Sequence, residues 1–309
     1  MKSRNFIFGL ALGFLTSLAG LTMALVIAGG TVWPLTPQPG ARLIPPPPAA
    51  PGHGHRTLGS FTTLVSDPQK YEVACPPQTD QTGVLLVAGQ SNASNTAQGM
   101  FTTKYPLNVV NYFEGKCYPA ASPLLGAENE HGEFLTPLGD GLVSAGTFTD
   151  VVIVTTAIGG SRVAHWAEGG DLNSFLITRL ADVRARYRVT DVIWHQGEAD
   201  FAADTSRDDY RSGFLSVAQT LTSSGVDAPI FMSIASRCSG TSNAGTNWIP
   251  DNPIALAQKA LIDGRTIRLG VDSDALLTEL DRRDGCHLSE SGQLKIAAAL
   301  ANAIGESRK

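Results

Sequence analysis

Four short runs in this chain carry residue types that suit acyl transfer. The first is Gly89-Gln90-Ser91-Asn92, directly after the apolar run Val84–Ala88. A serine just beyond a buried strand, behind a glycine that permits a sharp turn, can project its hydroxyl into a site, although Ser and Asn also serve as polar turn and helix caps. The run is not a Gly-x-Ser-x-Gly elbow, because position 93 is alanine. The second is Ile158-Gly159-Gly160-Ser161, where paired glycines let backbone N–H groups approach a ligand as an oxyanion hole requires. The third is Trp194-His195-Gln196-Gly197-Glu198-Ala199-Asp200. There the Gln196 amide can donate to an oxyanion, Glu198 can orient a base or brace the loop, and His195 reads as a packed histidine. The fourth is Asp284-Gly285-Cys286-His287. An aspartate three residues ahead of a histidine on one loop can fold back onto the ring Nδ1, fix the tautomer and leave Nε2 free to take a proton from serine.

Something must hold these runs together. Val84–Ala88, Asn108–Phe113, Val151–Ala157, Val189–His195 and Pro229–Ala235 are Val- and Ile-rich, nearly continuous in hydrophobicity and bounded by Gly, Pro or Asp, which predicts five buried, mostly parallel strands. Longer amphipathic segments alternate with them: Leu138–Ala145, Leu172–Arg188, Arg207–Ser224, Asn252–Arg265 and Ser289–Ile304. Ser289-Glu290-Ser291 supplies hydroxyl caps to the last. Strand–helix alternation of this kind implies an α/β three-layer α/β/α sandwich around a five-stranded, mostly parallel sheet. Ligands of such sheets collect at the carboxyl ends of the strands, where three of the four runs lie.

Composition bounds the rest. The chain has 309 residues, 43% of them apolar, with 23 Lys and Arg against 28 Asp and Glu, hence 23 − 28 = −5. A mildly acidic chain without a basic run argues against nucleic acid as a partner. Lys2 and Arg4 precede an uncharged stretch from Phe6 to about Val32. That stretch is long enough for a bilayer and longer than the apolar core of most cleavable signals, and the flanking charges place the remainder outside the cytoplasm. Residues 1–33 therefore read as a membrane anchor or signal segment, residues 34–56 as a stiff Pro-rich linker containing Pro45-Pro46-Pro47-Pro48, and residues 57–309 as one catalytic domain. His53 and His55 stand at the linker's end without a carboxylate or thiol nearby in sequence, and read as solvated.

Four cysteines with no C-x-x-C spacing suit disulfides in an exported protein; three pairings are open, and Cys75–Cys117 with Cys238–Cys286 is favoured. Three features are set aside. Gly139-Asp140-Gly141 follows no strand, so it is no dinucleotide fingerprint; Asp272 and Asp274 lack the rest of a calcium loop; Asn92-Ala93-Ser94 overlaps the serine run.

Taken in order, the four runs resemble the blocks of the SGNH (GDSL-like) hydrolases. They are most similar to the sialate O-acetylesterase and acetylxylan esterase branch, carbohydrate esterase family six, over roughly Thr82–Ile304. The resemblance implies Ser91 as nucleophile and His287 as base. It implies oxyanion donors at the Ser91 N–H, at Gly159 or Gly160, and at the Gln196 side chain, with Gln90 and Asn92 beside them. Either Asp284 or Glu198 is the orienting acid. No metal or organic cofactor is needed, and the substrate is an acetylated carbohydrate. A glycan O-acetyltransferase or a non-catalytic carbohydrate-binding module on a membrane stalk are the alternatives.

Overall fold

The computed structural model describes residues 52–238 and 248–309, so the anchor expected at 1–33 and the linker at 34–51 lie outside the described residues. Among the described residues no helix is long and apolar enough to cross a membrane.

The chain enters through an antiparallel hairpin, β1 (Gly54–Leu58) and β2 (Phe61–Ser66), turned at Gly59. Residues 54–56, placed by sequence in the linker, are thus the start of a strand. Seven strands then form one sheet: β3 (Thr82–Gly89), β4 (Val109–Phe113), β5 (Lys116–Pro119), β6 (Asp150–Ala157), β7 (Asp191–His195), β8 (Ile230–Ile234) and β9 (Ile267–Asp272). Their order is β5-β4-β6-β3-β7-β8-β9, parallel throughout except for β5, which folds back on β4. The five predicted strands are β4, β6, β3, β7 and β8, five of the six parallel strands. The sheet has two more because β5 and β9 extend its edges.

Among the described residues eight helices accompany them: α1 (Leu135–Ser144), α2 (Val163–Trp166), α3 (Asn173–Arg184), α4 (Glu198–Ala202), α5 (Arg207–Ser223), α6 (Pro253–Leu261), α7 (Ser273–Leu276) and α8 (Glu290–Glu306). Alternate residues of a strand point to opposite faces, and the core divides accordingly. Val84 and Leu86 of β3 pack with Leu176 and Leu180 of α3, Phe214 and Val217 of α5 and Ile254 of α6. Leu85 and Val87 pack with Leu135, Leu138 and Leu142 of α1 and Ile296, Leu300 and Ile304 of α8. The sheet is covered on both faces, the three-layer arrangement that its continuous apolar strands require.

The four cysteines form Cys75–Cys117 and Cys238–Cys286. The first closes the segment before β3 onto the edge strand β5. The second joins the end of the β8 loop to the run that holds His287.

The hairpin has a further contact. Leu64 in β2 exchanges backbone bonds with the 126–127 segment, accepting from Gly126 N–H and donating to the Ala127 carbonyl, 2.9 and 2.8 Å. The two histidines of the linker boundary do have carboxylate neighbours, brought by the fold rather than by sequence. His53 Nδ1 lies 2.9 Å and His55 Nε2 3.1 Å from the Glu130 carboxylate, with Asp67 3.5 Å from His53 Nε2. Among the described residues no group of three or more His, Cys, Asp and Glu is arranged to hold a metal ion.

Candidate active site

Three parallel strands end at the same level. Gly89 of β3 is in register with Ala157 of β6 on one side and His195 of β7 on the other. The chain beyond each strand, Gln90-Ser91, Ile158-Gly159 and Gln196-Gly197, therefore emerges at one place on the sheet's carboxyl edge. Gly89 is required there: its φ is +145°, and a Cβ would sit 2.0 Å from the His195 carbonyl oxygen. This permits the close crossing in which Gln90 N–H donates to that same carbonyl at 3.1 Å. Ser91 then opens a single 3-10 turn (Ser91–Ala93) and is nearly buried, 6% exposed.

His287 comes from the loop between a short 3-10 turn (Glu279–Asp281) and α8. Its Nδ1 lies 2.8 Å from Asp284 Oδ2, and its backbone N–H donates to Asp284 Oδ1 at 2.7 Å. A carboxylate only accepts, so Nδ1 carries the proton and Nε2 is left as the acceptor. Burial alone would push the Asp284 carboxyl upward. The His287 ring and the backbone N–H groups of His287 and Cys286 outweigh it and hold the group below the ordinary carboxylate range.

Asn92 brings the two halves together. Its amide donates to the Cys286 carbonyl at 3.3 Å, and its carbonyl oxygen accepts from Leu288 N–H at 3.1 Å. The residue after the serine is thus bonded to the backbone on either side of the histidine. Arg282, itself buried, donates to the same Cys286 carbonyl at 2.8 Å. The Cys238–Cys286 disulfide fixes the loop covalently at the adjoining residue. Ser289 caps α8 as its sequence suggests, and Asp281 below it gathers Thr278 N–H, the Ser291 hydroxyl and Lys295 Nζ at 2.7–2.9 Å. That carboxyl is held far below the usual range, these partners overcoming the cost of its burial.

The two candidate acids separate cleanly. Glu198 is buried at the start of α4, accepts from the Asn92 amide at 2.9 Å, and lies 3.7 Å from His195 Nε2. Its burial would raise its pKa, but His195 and Asn92 reverse the direction and keep it low. It braces Asn92; the residue paired with His287 is Asp284.

Gln196, expected to offer its amide to an oxyanion, has that amide committed inside the protein. Its Nε2 lies 2.5 Å from Asp200 Oδ2, 3.2 Å from the Ser161 carbonyl and 3.3 Å from Gln90 Oε1, three acceptors for two hydrogens. Gln90 is likewise internal: its oxygen accepts the Gly197 and Ala199 N–H groups at the start of α4. Gln90, Asn92 and Gln196 are therefore the frame under the site. His195, read from sequence as packed, is buried beside Phe134.

Gly159 stands against the serine, where a Cβ on it would lie 3.7 Å from Ser91 Cβ. Gly160 follows with φ +67° and open space at its Cβ position. The Gly159 N–H donates to a group that sequence reading missed, the Glu128 carboxylate, at 2.5 Å. Only an acidic segment, Glu128-Asn129-Glu130, marks that residue in the sequence, and nothing there says that the segment folds over the site. Its backbone is tied at both ends: Glu128 N–H donates to the Ala157 carbonyl, and its carbonyl accepts from Asn95 N–H, both at 3.0 Å.

A family model described as carbohydrate esterase, sialic acid-specific acetylesterase, matches residues 81–306. No curated protein sequence matches the chain. Among solved structures, an Arabidopsis thaliana protein superposes with TM-score 0.58 at 18% identity, over 74% of this chain and 98% of its own. A Parabacteroides merdae protein described as a GDSL-like lipase gives 0.50 at 13%, over 74% and 99%. A carbohydrate acetylesterase from Xanthomonas citri gives 0.49 at 17%, over 72% and 55%. At such identities the first two structures speak to the fold alone, which this chain shares with them. The sequence blocks, the sandwich and the family match over the whole catalytic region lead to one assignment: the chain belongs to the sialic acid-specific acetylesterase family of carbohydrate esterases and is a carboxylic ester hydrolase.

Proposed function

We propose that the protein removes O-acetyl groups from a carbohydrate through an acyl-enzyme formed on Ser91, with His287 as base and Asp284 as its orienting acid. The observation that carries this reading is the Asp284–His287 pair, whose loop is bonded on either side of the histidine to Asn92, the residue after Ser91. In the first step the Ser91 hydroxyl attacks the ester carbonyl while His287 Nε2 takes its proton. The Ser91 and Gly159 N–H groups receive the negative oxygen of the tetrahedral intermediate. Collapse expels the sugar alkoxide, which takes the proton from His287 and leaves acetyl-Ser91. Water then attacks with His287 again as base; the second tetrahedral intermediate collapses, His287 returns the proton to Ser91 Oγ, and acetate departs. Asp284 remains ionised throughout and stabilises the imidazolium form in both steps.

The chain is proposed to work outside the cytoplasm. Two disulfides suit an oxidising compartment. The uncharged stretch after Lys2 and Arg4 suits a membrane segment, with residues 34–51 and the start of the hairpin leading to the catalytic domain.

The test is acetate release from acetylated xylan and from p-nitrophenyl acetate by the parent and by Ser91→Ala. The reading expects hydrolysis by the parent and a loss on the order of 10⁶-fold in the variant. Release that survives in Ser91→Ala would remove the serine from the mechanism. Acetyl transfer to an added glycan in place of water would reassign the protein as a transferase.

A further inference from the structure

The Glu128 carboxylate is in an unexpected place for an esterase. It accepts the N–H of Gly159, a glycine whose Cβ position lies 3.7 Å from Ser91 Cβ, and so occupies the donor that the proposed mechanism assigns to the ester's carbonyl oxygen. An ionised carboxylate there takes up one oxyanion donor and repels the negative charge that develops during attack. Substrate must therefore displace it. The displacement is inexpensive, because burial disfavours the charge more than the single N–H stabilises it and the pKa is raised. The backbone, in contrast, is fixed. Both backbone polar groups of Glu128 are bonded, β2 supports residues 126–127, and the two histidines of the hairpin hold Glu130. The side chain can swing by rotation about its own bonds and remain at the rim of the site, half-buried and able to accept a hydrogen bond.

We infer that Glu128 is a specificity residue: an ester carbonyl displaces its carboxylate from Gly159, and the carboxylate then accepts a hydroxyl carried on the carbon next to the ester. The preferred substrates are accordingly monoacetates of vicinal diols, the arrangement in a partly acetylated sugar ring, over esters of simple alcohols. The inference rests on the proposed roles of Ser91 and Gly159. The chemistry is reciprocal: an ester without the hydroxyl must uncover the Gly159 N–H with no compensation, whereas one that has it returns a charge-assisted hydrogen bond to the displaced group.

A matched pair of esters reads this directly: cyclohexyl acetate and trans-2-hydroxycyclohexyl acetate, which differ by one hydroxyl. The quantity is the ratio of their kcat/KM values in the full-length parent, in Glu128→Ala and in Glu128→Gln; comparing ratios between proteins cancels the intrinsic reactivities of the esters. The parent is expected to favour the hydroxy ester. In Glu128→Ala the ratio should fall about tenfold or more, and cyclohexyl acetate should be hydrolysed as fast as by the parent or faster. Glu128→Gln keeps the volume and an acceptor oxygen without the charge, and its ratio should lie between the two; it also carries the test if the alanine variant does not fold. An unchanged ratio in both variants, or equal losses on both esters, would overturn the inference. Ser91→Ala is run beside them: if it still hydrolyses either ester, the serine mechanism has failed, whatever the ratios show.

Discussion

The residue that separates this site from a generic serine in a turn is Asp284. Its carboxylate meets both the ring and the backbone N–H of His287, so one short loop sets the tautomer and the direction of Nε2. The side chain is 45% exposed, so the pair acts in a partly aqueous setting and contributes less than a fully buried one. Asp284→Asn is expected to lower kcat roughly 10²-fold with little change in KM, because the asparagine can present an N–H to the ring and favour the wrong tautomer. Glu198→Gln should behave differently. It leaves the Asp284–His287 pair intact, replaces a charged brace of Asn92 by a neutral one, and should register mainly as a lower melting temperature. A kcat loss in Glu198→Gln greater than that in Asp284→Asn would exchange their roles. Sequence left these two acids open for a physical reason. Each stands near a histidine in the chain, Glu198 three residues after His195 and Asp284 three before His287. Only the fold shows that Glu198 is spent on Asn92 while Asp284 meets the ring of His287. The Gln196 amide illustrates the opposite case. A polar side chain at a strand end was expected to face the ligand, but Asp200, four residues on in the same run, takes it inward.

At the scale of elements, the loop of residues 282–288 is held at both ends. The Cys238–Cys286 bond ties it to the chain beyond β8, and Asp281 ties its root to α8. Replacing both cysteines by serine should destabilise the protein by about 2–4 kcal/mol and lower kcat, since the freed segment adjoins the base. Unchanged kcat with lowered stability would limit that disulfide to a structural role. The Asp281 carboxyl has a folded pKa depressed below its unfolded value, so its contribution is fully present at neutral pH and is lost as pH falls below the ordinary carboxylate range. Asp281→Asn should therefore lower the melting temperature at pH 7, and the difference from the parent should shrink on acidification. A constant difference down to about pH 2 would contradict the linkage. The elements themselves were legible where burial was complete. All five central strands and the five long helices stand near their expected places. β9 was missed because it is an edge strand whose Arg268 and Leu269 are not buried, which breaks the continuous apolar pattern. β5 is four residues long and ends in proline, and β1 has three exposed residues of five. Edges write weak signals because one side of them answers to water.

For the molecule as a whole, every residue of the proposed mechanism lies in the part that begins with the hairpin. A chain starting at Gly52 should fold with both disulfides and hydrolyse p-nitrophenyl acetate with the parent's kcat, while only the full chain sediments with membranes. A soluble full-length protein, or an inactive shortened one, would contradict that division of labour. The broad plan, a three-layer sandwich with the Ser91, Gly159 and Gln196 runs following its strands, was readable from the sequence because the strands are buried on both faces and the runs follow them directly. What the sequence did not show is the covering layer, the 126–133 segment and the β1–β2 hairpin over it. Those positions are set by contacts between parts distant in the chain, such as Leu64 with residues 126–127 and His53 with Glu130.

The central claim is that Ser91 is a nucleophile made reactive by His287. The most direct measurement is labelling of the full-length protein with a fluorophosphonate, followed by peptide mass spectrometry. One adduct on the peptide containing Ser91, formed rapidly by the parent and slowed at least about 10²-fold in His287→Ala, is the predicted result. No adduct on Ser91 in folded protein, or labelling at the same rate without the histidine, would contradict it.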